Sequence, residues 1–128
     1  YQQFEKLMEA PALNTPEDTV EYLQTKIGHN PKESLVVFYL NSARKVAGVW
    51  ETEGTVNSAS AAPREVVERA FYYHAAAVIL AHNHPSGSKK PSHSDIQFTK
   101  DIYNALELFG IRLLDHIIVT GKDYIRLM

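Results

Sequence analysis

The sequence contains no cysteine. Disulfide bonds, thiolate metal ligands and a cysteine nucleophile are therefore excluded, and the absence fits a reducing compartment. We accordingly expect a cytoplasmic protein. Any metal ion that it binds must be held through histidine, aspartate, glutamate and water.

Long apolar runs and an excess of basic residues are also missing. No segment is apolar for long enough to span a bilayer, and no secretory signal is visible at the start, so we expect no membrane association. The 13 Lys and Arg residues are outnumbered by 15 Asp and Glu residues, which leaves a net charge of −2. We therefore expect no strong autonomous binding to nucleic acid.

The 128 residues suffice for one compact domain with its own core. Position 1 is not methionine, so we expect the chain to be an excised fragment. Residues 15–128 are then predicted to form the domain.

Helical and strand patterns alternate along the chain. Helices are predicted from Pro16 to about Ile27, from Pro63 onwards and from Ser94 to Phe109; strands are predicted at Glu33–Leu40, Lys45 to Trp50 or beyond, Ala77–Ala81, Arg112–Thr120 and Tyr124–Met128. This order predicts an α/β fold, a three-layer-like sandwich in which helices flank a mixed β-sheet. The run Ala77–Ala81 lacks alternation, which favours a central strand that is buried on both faces.

All three predicted helices have apolar faces that can be assigned from their periodicity. On the first helix this face contains Val20, Leu23 and Ile27. On the second helix the buried face is expected to contain Val66, Val67, Ala70 and Phe71. On the third it is expected to contain Ile96, Ile102, Leu106 and Phe109, widened by Phe98 and Leu108.

Candidate metal ligands follow the central strand. His82 and His84 are two positions apart, so in an extended segment they point to the same side with Cα atoms about 6–7 Å apart. Pro85 favours that conformation at His84. After a Pro- and Gly-rich loop, Ser92 is predicted to cap the third helix, with Asp95 at the capping-box position.

Two imidazole nitrogens, one carboxylate oxygen and a water are the ligands of a four-coordinate catalytic zinc site. A His-x-His pair alone is a weak signal, however, and Ser92 and Asp95 could serve only as helix caps. The residues themselves leave both interpretations open.

The spacing of the whole segment favours the metal site over a helix cap alone. His82-x-His84, seven residues, Ser92, two residues and Asp95 resemble the motif of the JAMM (MPN+) metalloproteases. The longer string HNHPSG from His82, with Pro91-Ser92 and Asp95, is similar to the RadC branch of that family. Further likeness lies at Pro63-Arg64-Glu65 and Leu114–Val119, and the resemblance extends from about Pro16 to Met128.

The resemblance implies a helical N-terminal region that this chain would lack, with residues 1–14 as the tail of the linker that follows it. It implies the MPN fold, whose architecture is shared with cytidine deaminases. It also implies a bound Zn²⁺, held by His82, His84 and Asp95, and hydrolysis of a peptide or isopeptide bond in a polypeptide substrate. Ser92 would steady the oxyanion of the intermediate. The family's catalytic base is an upstream glutamate.

Four glutamates are candidates for that base: Glu33, Glu51, Glu53 and Glu65. We prefer Glu33, because its position before the first long strand matches that of the family's glutamate. Glu51 and Glu53 stay possible at the end of the hairpin, whereas a helix start explains Glu65.

The sequence leaves two alternative functions to compare with hydrolysis. One is a non-catalytic MPN-fold binding module associated with DNA-repair machinery, because RadC-like proteins have carried a DNA-repair label. The other is a zinc deaminase, which the lack of cysteine disfavours, since that site needs Cys-x-x-Cys. Asp115 and His116 recur in the family pattern, but strand alternation lets only one of them face a given side, and neither receives a firm role.

Overall fold

The computed structural model of the protein describes residues 16–53 and 63–128. The predicted linker tail at residues 1–14 lies outside these ranges. The helices are α1 (Pro16–Ile27), α2 (Pro63–Tyr72) and α3 (His93–Glu107); the strands are β1 (Ser34–Leu40), β2 (Val46–Glu53), β3 (Ala77–Asn83), β4 (Arg112–Val119) and β5 (Tyr124–Arg126). Each element lies where the sequence predicted one, with ends that differ by a few residues.

The five strands form one mixed sheet in the order β2-β1-β3-β4-β5. Only β3 and β4 are parallel, and α3 connects them, as expected for a β-α-β crossover. The other neighbouring pairs are antiparallel. Strand β3 is central, as its unbroken apolar run predicted.

Helices cover both faces of the sheet. On one face α1 packs through Val20, Leu23 and Ile27. On the other face α2 and α3 pack through Val66, Ala70, Phe98, Ile102 and Leu106. The predicted α/β arrangement with helices flanking a mixed sheet is therefore confirmed. Within the described ranges, no helix combines the length and apolar character that a membrane crossing requires.

The predicted buried face of α3 was partly wrong. Ile96, Leu108 and Phe109 are 41%, 82% and 53% exposed, whereas Phe98, Ile102 and Leu106 are buried. Leu108 and Phe109 lie beyond the end of α3 at Glu107. Ile96 is exposed because the helix turns Asp95 and Thr99 toward the sheet instead. Their polar atoms have hydrogen-bond partners there, so burying them is tolerated.

The prediction that Phe71 belongs to the buried face of α2 was also wrong. Its side chain is 50% exposed and packs edge-on against Phe109, with ring centroids 4.9 Å apart. The two rings cover each other at the ends of α2 and α3, outside the core. Val66 and Ala70 occupy the buried positions of α2 as predicted.

The carboxyl end of β3 lies beside the N-terminus of α3. In open α/β sheets this edge is where ligands bind, because loops and helix starts converge on the strand ends. Both predicted histidines and Asp95 belong to this part of the fold.

A buried hydroxyl joins the sheet to α2 and provides a test of this packing. Tyr39 is fully buried, donates a hydrogen bond of 2.9 Å to the carbonyl oxygen of Val66, and has its pKa raised by burial. We expect Tyr39→Phe to lower the free energy of unfolding by about 0.5–1.5 kcal/mol, measured by urea unfolding at pH 8.

The pH dependence supplies the control. The unfolded tyrosine ionises near pH 10, below the folded pKa, so the stability that this hydroxyl contributes is complete below about pH 10 and declines above it. The difference between wild type and Tyr39→Phe should therefore shrink as the pH is raised through 10. Equal stabilities at pH 8 would contradict the role of this hydrogen bond.

Candidate metal centre

Side chains from β3, α3 and the loop before β1 converge on one point. The Nε2 atoms of His82 and His84 lie 3.0 Å apart. Asp95 approaches both, with Oδ1 3.1 Å from His82 Nε2 and Oδ2 3.1 Å from His84 Nε2. Together with Glu33 these residues form a group in which all ligand atoms lie within 4.8 Å of one another. The structure thus brings together the three predicted ligands and the preferred base.

The two histidines share a side because the chain stays extended past the end of β3. His82 belongs to the strand, and the His84 N–H donates to the carbonyl oxygen of Val119 at 3.0 Å, which continues the pairing with β4. His82 is fully buried, whereas 14% of the His84 side chain is exposed. His82 therefore lies at the buried end of the site, and His84 lies closer to the protein surface.

Asp95 is fixed by the start of α3. The Ser92 hydroxyl accepts from the Asp95 N–H at 3.0 Å, and Asp95 Oδ2 accepts from the Ser92 N–H at 2.8 Å, so the predicted capping box is present. Burial alone would raise the pKa of Asp95, but the His82 imidazole and the Ser92 N–H stabilise the carboxylate and hold its pKa well below the usual range. Asp95 is therefore charged at neutral pH.

Each histidine uses its other ring nitrogen for orientation. His84 Nδ1 lies 2.8 Å from the carbonyl oxygen of Ser88, which can only accept, so this nitrogen carries the proton. His82 Nδ1 lies 2.8 Å from His116 Nε2. These contacts direct Nε2 of both rings toward Asp95, which is the arrangement that metal-binding histidines use.

A chain of hydrogen bonds defines the proton positions behind His82. The Thr99 hydroxyl donates its only proton to the carbonyl oxygen of Asp95 at 2.7 Å, so it accepts from His116 Nδ1, 2.5 Å away. Burial lowers the pKa of His116 to about 3, and the imidazole is neutral. Its Nε2 consequently accepts from His82 Nδ1, which leaves His82 Nε2 to face the site.

A register shift between β3 and β4 gives His116 this orientation. Val78 pairs with Leu113 but Ile79 pairs with Asp115, so Leu114 is an extra residue. Such a shift turns the following side chains to the opposite face, and here it turns His116 toward α3. Asp115 instead forms an ion pair with Arg126 of β5.

Of the four candidate glutamates, Glu33 alone approaches the histidines. Its Oε1 is 3.9 Å from His82 Nε2, and its side chain is 24% exposed. The others pair with cations elsewhere, at 3.6, 4.0 and 3.9 Å: Glu51 with Lys26, Glu53 with Lys32 and Glu65 with Arg69.

A cleft of about 690 Å³ opens over the site. Its lining includes Glu33, His84, Asp95, Ser92 and Lys90. The Ser92 oxygen is occupied as the acceptor of the helix cap, but its hydroxyl proton is left to donate. The two roles considered for Ser92 are therefore compatible.

The donor atoms fit a single divalent cation. Two imidazole nitrogens and a carboxylate that lie 3.0–3.1 Å apart have the spacing of ligands that share one ion at about 2.0–2.2 Å. A helix cap alone does not require two histidines beside Asp95. This group could thus bind a metal, with Glu33 at its open side.

Three supporting residues were missed or left without a role. His116 and Thr99 contact the ligands from behind, and Asn83 binds the loop that carries Glu33. The spacing of Asp95 and Thr99, four residues apart on one helix, is a signal that sequence reading could have used. The other contacts depend on strand register.

The chain is similar to proteins of one family. A family model described as "RadC-like JAB domain" matches residues 13–128. Among curated proteins, a UPF0758 protein of Aliivibrio fischeri is 45% identical over 123 residues, covering 95% of this chain and 55% of that protein. UPF0758 proteins of Photobacterium profundum and Bordetella avium are 46% and 45% identical over 122 and 117 residues, covering 94% and 91% of this chain and 54% and 52% of those proteins. The chain thus spans about half the length of these relatives.

The hydrogen-bond chain behind His82 predicts that His116 stays neutral where an ordinary histidine gains a proton. His116 should remain neutral, with its proton on Nδ1, at every pH between 8 and 5, whereas an ordinary histidine titrates near pH 6.5. ¹⁵N NMR of the imidazole rings measures both the protonation and the tautomer. A His116 ring that gains a proton near pH 6.5 would contradict the assignment.

Proposed function

We propose, since this chain belongs to the family of RadC-like JAB domains, that it is a zinc-dependent hydrolase of the JAMM type that cleaves a peptide or isopeptide bond. The observation that carries the proposal is the convergence of two imidazole nitrogens and a carboxylate, with a second carboxylate beside them. His82, His84 and Asp95 would hold the ion. This set leaves a coordination position open, which is typical of catalytic rather than structural zinc.

A bound zinc ion would supply Lewis acidity, which lowers the pKa of water toward about 7 and polarises a carbonyl group. The chain's own residues provide the proton transfers. Glu33 Oε1 is 3.9 Å from His82 Nε2, farther than the 3.1 Å of Asp95 Oδ1. That separation suits a carboxylate that accepts a proton from water instead of ligating the ion.

As general base, Glu33 takes the proton of the attacking water and then gives it to the leaving amine. Its partial exposure allows it to reach both groups, since it lies on the wall of the cleft. Ser92 has a different role in the proposal. Its hydroxyl proton, which the helix cap does not use, donates to the oxygen of the former carbonyl as negative charge develops there.

The cleft supports a polypeptide as substrate. Its volume of about 690 Å³ and its open shape accommodate several residues of an extended chain. Cytoplasmic location is proposed on the absence of cysteine.

The competing function is a binding module beside DNA-repair machinery that carries out no chemistry. A module of that kind needs neither a charged Asp95 facing two histidines nor a glutamate at their open side. The net charge of −2 gives no support for autonomous binding to DNA. Metal analysis and hydrolysis assays distinguish the two functions.

Zinc content is the first test. We expect purified protein to bind one zinc ion per chain, and His84→Ala to lower the affinity strongly because an imidazole ligand is lost. Elemental analysis after dialysis against a defined zinc buffer measures this. His93→Ala is the matched control, since His93 is exposed and outside the ligand group, and it should retain full occupancy. Equal zinc in wild type and His84→Ala would contradict the ligand assignment.

The second test separates the base from the ligands. Glu33→Gln keeps the shape of the side chain but cannot accept a proton, so we expect full zinc occupancy with hydrolysis reduced about 10²–10⁴-fold. Asp95→Ala should instead lose zinc and activity together. Zinc content and cleavage of a peptide library are measured on both variants.

Activity close to that of wild type in Glu33→Gln would remove Glu33 from the mechanism. Glu51→Gln would then be the next variant to assay, although Glu51 lies 3.6 Å from Lys26 in the present structure. Zinc binding by the wild type without any hydrolysis would favour the binding module.

A further inference from the structure

Asn83 lies between the two candidate metal ligands but points the other way. Successive side chains of a strand alternate, so His82 and His84 face α3 while Asn83 faces the loop between α1 and β1. It is fully buried. A buried amide in a strand is unfavourable unless its donors and acceptor are satisfied, so its partners are informative.

Every strong hydrogen-bonding group of the Asn83 side chain is used on that loop. Its Oδ1 accepts from the Ser34 N–H at 2.6 Å. Its Nδ2 donates to the carbonyl oxygens of Asn30 and Lys32, at 3.2 and 3.0 Å. A backbone N–H can only donate and a carbonyl can only accept, so the orientation of the amide is unambiguous.

These contacts hold the backbone on both sides of Glu33. The carbonyl of Lys32 precedes it, the N–H of Ser34 follows it, and both are bonded to Asn83. The backbone pairing of β1 with β3 ends at the next residues, Leu35 with His82. Beyond this pair, hydrogen bonds from the Asn83 side chain therefore take the place of the backbone hydrogen bonds between β1 and β3.

We propose that Asn83 is the positioning residue of the catalytic base: it ties the loop that carries Glu33 to the strand that carries His82 and His84. The inference rests on the proposed function, in which Glu33 is the base. Asn83 thereby fixes the position of the base relative to the candidate ligands. A displacement of about 1 Å in such a group can reduce a rate about 10²-fold.

The decisive experiment is a double-mutant cycle. Asn83→Ala should keep zinc occupancy and reduce hydrolysis of a cleaved library peptide about 10²-fold, mainly in kcat. In the Glu33→Gln background the same change should alter activity only within about twofold, because no base is left to misplace. An equal loss in both backgrounds would show a merely structural role and overturn the proposal.

Asn41→Ala is the matched control. Asn41 also fastens a loop through its side chain, accepting from the N–H groups of Ala43 and Lys45 at 2.9 and 3.1 Å, but it lies at the opposite end of β1. It should lower stability without changing the rate. Should Asn83→Ala fail to fold, the isosteric Asn83→Asp retains the acceptor for Ser34 but loses both donors, and the same loss of rate is expected.

A second measurement does not depend on activity. Amide hydrogen exchange should find the Ser34 N–H protected in wild type and in Asn41→Ala, and exchanging much faster in Asn83→Ala. A Ser34 amide that stays protected in Asn83→Ala would refute the positioning role even if no substrate were cleaved. Loss of protection together with an inactive but zinc-loaded wild type would instead place the failure in the proposed hydrolase function.

Discussion

The Nε2 atoms of His82 and His84 lie 3.0 Å apart, and each lies 3.1 Å from one oxygen of the buried Asp95 carboxylate. Such an approach is unfavourable unless a cation or a shared proton joins the atoms, since buried charge needs compensation. The surrounding fold holds this arrangement. His82 of β3 and His84, just after the strand, supply the imidazoles, and the first turn of α3 supplies the carboxylate of Asp95. A neutral His116 behind His82 and the carbonyl of Ser88 behind His84 prevent either ring from turning away.

Several of these supports serve the fold and the site at once. Asp95 completes the capping box of α3, and Thr99, one turn later, connects the Asp95 carbonyl to His116 on β4. The helix therefore cannot shift along the sheet without disturbing the site. On the opposite face of β3, Asn83 holds the loop before β1. Strand β3 is thus the common reference for the candidate ligands and the candidate base.

The parts of the site that depend on local sequence were predictable. Side chains alternate along a strand, so His82 and His84 lie on the same side of it. The spacing of Ser92 and Asp95 indicates a capping box. The role of His116 was not predictable, because the register shift at Leu114 determines which way it faces. The exposed Ile96 was mispredicted because apolar periodicity ignores buried polar residues such as Asp95 and Thr99, and Phe109 was mispredicted because α3 ends at Glu107. Hydrogen bonds of Asp95 and Thr99 orient α3 together with its apolar residues.

X-ray absorption spectroscopy of the zinc-loaded protein tests the central claim most directly, because it reports the ligands themselves. The arrangement of His82, His84 and Asp95 predicts four nitrogen or oxygen ligands at about 2.0–2.2 Å, two of them with the scattering pattern of imidazole. The imidazole contribution should fall to one in His84→Ala loaded at high zinc. A spectrum with no imidazole, or one unchanged by that substitution, would contradict the account.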